Sequence, residues 1–532
     1  MASQTVIHEN SVKNSGKKHV PKKNLIGIST LPQLATALGV SISMTLAQMP
    51  AHAQNWSSQL PAMDDGSGLI EQQQNQQIGE WALRQIYGEA PLINDPWLQQ
   101  SIENLVWQIN AVARADAPMA LVIINDPQIN AFAIPAGLVG LNVGLINKAN
   151  TIDEMASVIS HEIAHVSQRH YQYRSDEKTK QLLMQLGGMA AGIAAAKSGE
   201  GNAAAAVMMG SQAIAANTAA QFSRDQEREA DRVGMEIMSQ AGYDVNAMPN
   251  FFATLNQQNP VKQNAFNPSF VMSHPLTAER LSEARQRAAT YPKPNNQSQN
   301  TQSKNELFDQ IQWRTRYLAR LTNINELTQA ARTSKGAKLA LAMQQIDQRQ
   351  FSQAAGTLQP FASDIAQLRD PLAVIVAATL EQRQGQFDAA ITKLNRLANV
   401  FPERRDIKLY LADAFFDKPT DSINNAKQIL TLLQPLSKQY PRDIAIWQRL
   451  EQASQILAKN PQSSDEQKRL QQINVLRYRA NREFWQNSLS NAVTSLTQAE
   501  QLAKGLKQNT AMLAIIHTQL EQVQLANKFK AS

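Results

Sequence analysis

The pentapeptide His161-Glu162-Ile163-Ala164-His165 restricts the fold of this chain more than any other feature. Thr151, followed three residues later by Glu154, is an N-terminal capping signal, and apolar residues recur at helical spacing after it. The pattern predicts a helix from Asp153 to about Tyr171. Histidines four positions apart lie on one helix face, where both imidazoles reach a single metal ion and Glu162 projects beside them. The fold must therefore bring a third ligand to this face.

Chance is a poor explanation of this motif. Eight histidines and 44 acidic residues in 532 positions predict such a pentapeptide about once in a hundred chains of this composition. The apolar neighbours Val158, Ile159, Ile163 and Ala164 favour a buried helix. Two solvated histidines beside a surface glutamate are the weaker alternative.

The third ligand is expected from a later helix, because the chain has no cysteine and the residues after His165 do not continue as in metzincins. On a continuing helix His170 falls on a different face, which assigns it to the surface or to a place behind the ligands. Ser223 can cap a helix on which Glu227 and Asp231 face the same way. We expect Glu227 to bind the metal and Asp231 to accept the second ring N–H of a histidine. A solvated charged face is the alternative.

Two histidines and one carboxylate form a ligand set of catalytic zinc, which keeps one position open for water. The sequence therefore predicts one Zn²⁺ per chain. Glu162 is the expected general base, taking the proton of the attacking water and delivering it to the leaving amine. The chemistry expected of such a site is the hydrolysis of peptide bonds.

These residues resemble the gluzincin peptidases of the HtpX and CAAX-prenyl-protease group. The resemblance rests on the pentapeptide, on Glu227-x-x-Ala230-Asp231, and on Ser273-His274-Pro275 with Arg280. It implies a zinc site of His161, His165 and Glu227, the base Glu162, and a His274/Arg280 pair near the substrate oxyanion. An alternative for His274 is that its loop places the imidazole on zinc and makes the enzyme latent. HtpX-like relatives also carry transmembrane helices. After the N-terminal apolar run, no segment of this chain is long and apolar enough to be expected to span a membrane.

The predicted fold class is α+β and predominantly helical, with a zincin-like domain containing a small β-sheet. Helical periodicity predicts two amphipathic helices between residues 68 and 112. Short β-type runs at 121–124, 130–134 and 139–141 predict the sheet. Residues 130–133 are a natural edge for an extended substrate, and an ordinary core strand is an equal alternative.

The C-terminal part contains internal repeats. Gln350-Phe351 recurs as Gln386-Phe387 and Phe401-Pro402 recurs as Tyr440-Pro441, with spacings a little above the tetratricopeptide length of about 34 residues. The repeats predict a TPR-like α-solenoid that binds polypeptide on its concave face, with a purely structural extension as the alternative. The expected division is 1–53 signal peptide, 54–290 metallopeptidase domain, 291–305 linker and 306–532 repeat domain.

The N-terminus predicts export. A basic stretch precedes the apolar run 34–46 and the small-x-small sequence Ala51-His52-Ala53, which is typical of a cleaved signal peptide; an uncleaved anchor is the alternative. An exported chain without cysteine favours the periplasm. Residues 1–53 carry a net charge of +4 out of +7, and the small remainder argues against nucleic acid as a partner. The apolar stretches within 182–220 favour a packed helical hairpin, or else a lid or peripheral membrane contact.

Two functions follow from the sequence. The first is a zinc endopeptidase of the cell envelope that degrades misfolded or stalled proteins. The second is a periplasmic chaperone or assembly factor that acts through its repeats, with a latent or closed zinc site. The chain-wide resemblance to a repeat-bearing periplasmic branch of the family implies outer-membrane β-barrel precursors as substrates and the β-barrel assembly machinery as a partner.

Overall fold

A computed structural model describes residues 67–113, 119–134, 136–170, 223–257, 270, 273–292 and 299–529. The predicted signal peptide and the apolar stretches at 182–220 lie outside these residues. Among the helices within the described ranges, none combines the length and the apolar character needed to cross a membrane.

The first part of the described chain is a small sheet surrounded by helices, as predicted. Its elements are α1 (Ser67–Glu89), α2 (Pro96–Ala113), β1 (Ala120–Ile124), β2 (Ala131–Ile134), β3 (Leu138–Asn142), α3 (Val143–Lys148), α4 (Ile152–Ser167), α5 (Arg224–Gln240), α6 (Ala247–Gln257) and α7 (Ala278–Ala288).

The sheet has the strand order β1-β3-β2, with β1 parallel and β2 antiparallel to the central β3. All five residues of β1 are buried. Because side chains alternate across a sheet, Leu121 and Ile123 join one apolar core with α2 and α4, whereas Val122 and Ile124 join a second core with α1 and the C-terminal helices. The sheet is therefore covered on both faces.

The helix that carries the pentapeptide is confirmed. Thr151 Oγ1 accepts from the Glu154 backbone N–H at 3.1 Å, which satisfies one of the free donors at the helix start. The Glu154 carboxylate accepts from the Asn150 N–H at 2.7 Å, so it reaches one residue beyond the position of a capping box. Helix α4 ends at Ser167, short of the predicted end.

The second part of the described chain consists of helices only. They are α8 (Gln299–Leu318), α9 (Ile324–Ala330), α10 (Lys335–Asp347), α11 (Phe351–Leu358), α12 (Ala362–Ala366), α13 (Pro371–Arg383), α14 (Phe387–Val400), α15 (Arg405–Asp417), α16 (Ser422–Gln439), α17 (Ile444–Ala458), α18 (Asp465–Trp485), α19 (Leu489–Ala503) and α20 (Thr510–Lys528). From α13 onward each helix packs against the next, which fits the predicted solenoid.

The recurring sequence pairs mark recurring turns. Gln350 and Gln386 precede α11 and α14 with nearly the same backbone angles, φ −86° and ψ 58° against φ −87° and ψ 55°. In each case the preceding residue, Arg349 or Gly385, is left-handed. Asn487, at φ 60° before α19, repeats this turn a third time. The repeats are thus structural as well as sequential.

Part of the expected linker at 291–305 is helical, because α8 begins inside it at Gln299. The polar composition that suggested a linker does not prevent a helix, because Gln is a good helix former. The apolar residues that pack this helix against the core come later in it. Phe308 and Ile311 are buried. Lys304 also donates to the Gly242 carbonyl at 2.5 Å and lies over the Tyr243 ring.

The C-terminal helices pack tightly against the zinc-motif part. Arg314 of α8 donates to Asp95 at 2.7 Å, and both side chains are buried. Arg405 of α15 donates to Glu103 of α2 at 2.7 Å. Gln312 donates to the Ala149 carbonyl at 2.8 Å, directly before the start of α4. Residues 64–532 accordingly form one compact unit.

Candidate metal centre

The predicted metal ligands lie on two packed helices. His161 and His165 are on α4 and Glu227 is on α5, and all three are almost completely buried. The helix of Glu227 begins with a full capping box, in which Ser223 and Gln226 satisfy each other's backbone N–H groups. A Cβ at Gly234 would lie 3.2 Å from the His161 backbone nitrogen. Glycine therefore permits the close approach of the two helices.

Ring nitrogens and carboxylate oxygens converge at one point. The Nε2 atoms of His161 and His165 are 3.1 Å apart, and Glu227 oxygens lie 3.4 and 3.5 Å from them respectively. His274 joins the group, with Nδ1 at 3.3 Å from His161 Nε2 and 2.9 Å from Glu227 Oε1. Within the described residues these four side chains form the group able to hold a metal ion.

The donor set fits zinc. Tetrahedral Zn²⁺ with bonds of about 2.0–2.1 Å holds its ligand atoms about 3.3 Å apart, and the observed separations among the two histidines and Glu227 are 3.1 to 3.5 Å. Imidazole nitrogens and a carboxylate without thiolates form a set common to catalytic zinc sites.

Asp231 and Arg280 lie behind the predicted ligands. Asp231 Oδ1 lies 3.0 Å from His161 Nδ1, the contact expected of the acceptor for the second ring nitrogen. Arg280 donates from Nε and Nη2 to the two oxygens of Asp231, both at 2.8 Å. Its Nη1 lies 2.7 Å from Glu227 Oε2 and donates to the Pro275 carbonyl at 2.9 Å. The guanidinium is thus directed at protein acceptors.

Glu162 lies between the metal cluster and the sheet. Its Oε1 is 3.3 Å from His274 Nε2, and the carboxylate faces the backbone amide of Ala133 in β2. Strand β2 is at an edge of the sheet, where backbone groups can pair with an extended peptide. The predicted general base and the candidate substrate edge are therefore adjacent.

The segment that carries His274 approaches this same edge. The Phe270 backbone N–H donates to the Ile129 carbonyl, two residues before β2, at 3.3 Å. The Phe270 ring stacks on the His274 imidazole with centroids 4.9 Å apart, and the His274 N–H donates to the Phe270 carbonyl at 2.8 Å. Residues 271 and 272 between them lie outside the described residues.

The buried charges shift one another's protonation. Burial alone lowers the pKa of His161, but the facing Asp231 and Glu227 carboxylates outweigh it and raise that pKa to about 9. Burial lowers the pKa of His165 well below its usual value. Burial also raises the pKa of Glu162. For Glu227, hydrogen bonds with His161 and His274 outweigh burial and hold the pKa far below the usual range.

His170 lies in the second of its two predicted places, behind the predicted ligands, but it does not reach that place by helical spacing. It is 2% exposed, and its Nδ1 lies 2.9 Å from His165 Nδ1. Helical spacing does not apply to it, because α4 ends at Ser167 and Arg169 adopts a left-handed conformation. Neither glycine nor asparagine signals this reversal in the sequence. The pair of hydrogen bonds from Arg280 to Asp231 was not predicted either, because no motif near either residue in the sequence indicates it.

Comparison with known proteins agrees with this geometry. Residues 92–288 match the model of peptidase family M48. The beta-barrel assembly-enhancing protease of Yersinia pestis is 31% identical over 398 residues, which cover 72% of this chain and 77% of the relative. This chain therefore belongs to peptidase family M48. As an M48 peptidase it is a zinc-dependent metallopeptidase.

Two further relatives of this M48 peptidase have related names. The beta-barrel assembly-enhancing protease of Escherichia coli (strain K12) is 29% identical over 406 residues, which cover 72% of this chain and 78% of the relative. A putative beta-barrel assembly-enhancing protease of Vibrio cholerae is 35% identical over 257 residues, 46% of this chain and half of the relative. The first of these matches extends well beyond the zinc motif.

Proposed function

We propose that this chain is an endopeptidase of the cell envelope that cleaves misfolded or stalled proteins, outer-membrane β-barrel precursors among them. His161, His165 and Glu227 hold the zinc ion, and Glu162 is the general base. The observation that carries the proposal is the convergence of these side chains from α4 and α5, with a base carboxylate beside them. The names of the relatives support the substrate class.

Bound zinc supplies Lewis-acid polarisation of the scissile carbonyl and of the attacking water. Glu162 takes the proton of that water and later delivers it to the leaving amine. Burial raises the pKa of the Glu162 carboxyl, which makes the carboxylate a stronger proton acceptor. Strand β2 aligns the substrate by backbone pairing, which gives little sequence selectivity and suits an enzyme that degrades many unfolded proteins.

Arg280 acts as a positioning residue in this proposal. Its guanidinium neutralises Asp231 and Glu227 and fixes their orientation, which holds His161 and the third ligand in place. The predicted oxyanion role then falls to His274 alone.

The chain itself is exported to the periplasm through a cleaved signal peptide and meets its substrates there. Residues 1–53 are that signal, 54–290 the peptidase domain and 306–532 the TPR-like domain. The concave face of the repeats binds the unfolded envelope proteins and the β-barrel assembly machinery.

Glu162→Gln tests the catalytic part. The amide keeps the volume but cannot take the proton, so hydrolysis of an unfolded β-barrel precursor falls by about 10²–10⁴-fold while bound zinc stays at one per chain. Glu236→Gln, which changes a glutamate on α5 away from the cluster, keeps full activity. Cleavage by Glu162→Gln at the wild-type rate would refute the proposal, as would wild-type protein that binds no zinc.

A second function is favoured by the position of His274. Its Nδ1 lies 3.3 Å from His161 Nε2 and 2.9 Å from Glu227 Oε1, so His274 would supply a fourth donor in the position that catalytic zinc sites keep for water. In that state the protein is latent and acts as a chaperone or assembly factor through its repeats. His274→Ala distinguishes the roles: cleavage rises if His274 closes the site and falls if it stabilises the oxyanion. Unchanged cleavage counts against both.

A further inference from the structure

His170 lies at a sharp chain reversal after the zinc helix. The Arg169 N–H donates to the Val166 carbonyl at 2.9 Å, and the His170 N–H donates to the His165 carbonyl at 3.0 Å. Arg169 has a left-handed backbone conformation with φ 55°, which residues other than glycine rarely adopt. Such unfavourable geometry persists where the surroundings require it. Its result is that the His170 ring returns to the His165 ring.

Both ring nitrogens of His170 face specific partners. Nδ1 lies 2.9 Å from His165 Nδ1, and Nε2 lies 3.3 Å from Glu229 Oε2. The His170 carbonyl accepts from Gln226 Nε2 at 3.4 Å. Glu229 and Gln226 are on α5, the helix of Glu227. His170 therefore connects the helix of two proposed ligands to the helix of the third.

The direction of the hydrogen bonds follows from the metal-facing atom. His165 turns Nε2 toward His161 and Glu227, at 3.1 and 3.5 Å. A ligating nitrogen carries no proton, so the proton of neutral His165 is on Nδ1 and is donated to Nδ1 of His170. His170 Nδ1 is then an acceptor, which puts its own proton on Nε2, opposite the Glu229 carboxylate.

We infer that His170 is a positioning residue for zinc: it fixes the tautomer and the ring orientation of His165, and Glu229 fixes those of His170 in turn. This inference rests on the proposed function, because it assumes that His165 Nε2 binds the ion. The two metal histidines are then held by different devices. His161 uses a carboxylate directly, whereas His165 uses a second imidazole that a carboxylate holds.

The test compares His170→Ala with His170→Asn. Asparagine places Oδ1 where the imidazole has Nδ1, so it keeps an acceptor for His165 and loses only the contact with Glu229. Zinc affinity is measured by competition with a coloured chelator on the full chain. Loss of a residue behind a metal ligand weakens binding about 10–100-fold, which we expect for His170→Ala. His170→Asn should stay within about fivefold of wild type.

A matched control is His517→Ala, because His517 also faces a glutamate, Glu500 at 3.4 Å, but lies exposed on α20; its zinc affinity should be that of wild type. Glu229→Ala should weaken zinc by less than about tenfold, since the Glu229 side chain is 46% exposed and water replaces it. A second readout is the visible spectrum of Co²⁺-loaded protein, which reports the ligand geometry. It should change in His170→Ala and be restored in His170→Asn.

Wild-type zinc affinity and an unaltered cobalt spectrum in His170→Ala would overturn the inference. It would also fall if His170→Asn lost as much zinc affinity as His170→Ala, because the preserved acceptor would then be irrelevant. Wild-type protein that binds no zinc contradicts the proposed function instead, so the two failures are distinguishable. If His170→Ala does not fold, the comparison of His170→Asn with wild type decides.

Discussion

Arg280 gives the sharpest test of how the site is built, because two of its roles predict different outcomes. The side chain is 4% exposed and contacts both oxygens of Asp231 at 2.8 Å and Glu227 Oε2 at 2.7 Å. Removing one partner of such a buried ion pair costs about 3–5 kcal/mol, because the remaining charge is left uncompensated. Arg280→Met keeps the length of the side chain. In protein stripped of zinc by a chelator, it should lower the free energy of unfolding by about 3–5 kcal/mol.

Arg280→Lys keeps the positive charge but loses the two parallel hydrogen bonds to Asp231. An ammonium group cannot donate in parallel to two carboxylate oxygens, so this variant should lose about 1.5–3 kcal/mol, the contribution of one charged hydrogen bond. The control is Arg228→Met, which removes an arginine that also joins α5 to α7, through Glu279 at 2.5 Å, but is 36% exposed. An exposed pair contributes under about 1 kcal/mol.

The assay is urea unfolding followed by circular dichroism, with and without zinc. Zinc should stabilise Arg280→Met less than wild type, because loss of a residue that orients metal ligands weakens zinc binding about 10–100-fold and the stabilisation by a ligand follows its affinity. If Arg280 instead donates to the substrate oxyanion, the urea midpoints stay at the wild-type value and only the turnover number falls. That result would refute the positioning role.

Three further predictions concern the charges and the packing. Arg280 and His161 outweigh burial and lower the pKa of Asp231, so its stabilising effect is present above the unfolded pKa of about 3.9 and is lost as pH falls. Without zinc, the urea midpoint of wild type should therefore exceed that of Asp231→Asn by a constant amount above about pH 5, and the difference should shrink as the pH falls below about 4; a difference that stays constant down to pH 3 would contradict this. Arg314→Met should lower the free energy of unfolding by about 3–5 kcal/mol, and adding Asp95→Asn should restore part of that loss. If the double variant restores none of it, the Arg314–Asp95 pair is not the cause. Gly336→Ala sets a Cβ 2.3 Å from a backbone oxygen of α8 and should destabilise, whereas Gly356→Ala, with nothing within 4 Å, should gain about 0.5–1 kcal/mol; equal urea midpoints would contradict both.

Local patterns predicted the elements and the meeting of the key side chains. The spacing of four between His161 and His165, and between Glu227 and Asp231, is a property of a single helix. Once both helices exist, only a few arrangements can pair their polar faces inside an apolar core. The small sheet was predicted for the same reason, because β1 is a short apolar run with turn residues after it.

The rest depends on contacts between distant parts of the chain. His170 reaches His165 only because Arg169 leaves the helical conformation, and arginine carries no local signal for that. Arg280 and Asp231 are 49 positions apart, and no periodicity connects them. Within α8, Lys304 contacts Gly242 and Tyr243, two residues distant in the sequence, whereas the local composition indicated a linker.

The division of the sequence into a peptidase part and a repeat part does not divide the hydrophobic core. Val122 and Ile124 of β1 share one apolar cluster with Leu433 and Ile446 of the repeats, and Gln312 of α8 holds the carbonyl just before the zinc helix. Exposing one apolar face of this sheet to water would be unfavourable. The helices that recruit a polypeptide in the proposed function are therefore the same helices that cover β1 and fix the start of α4, so the precision of the zinc site depends on the repeats being folded against it.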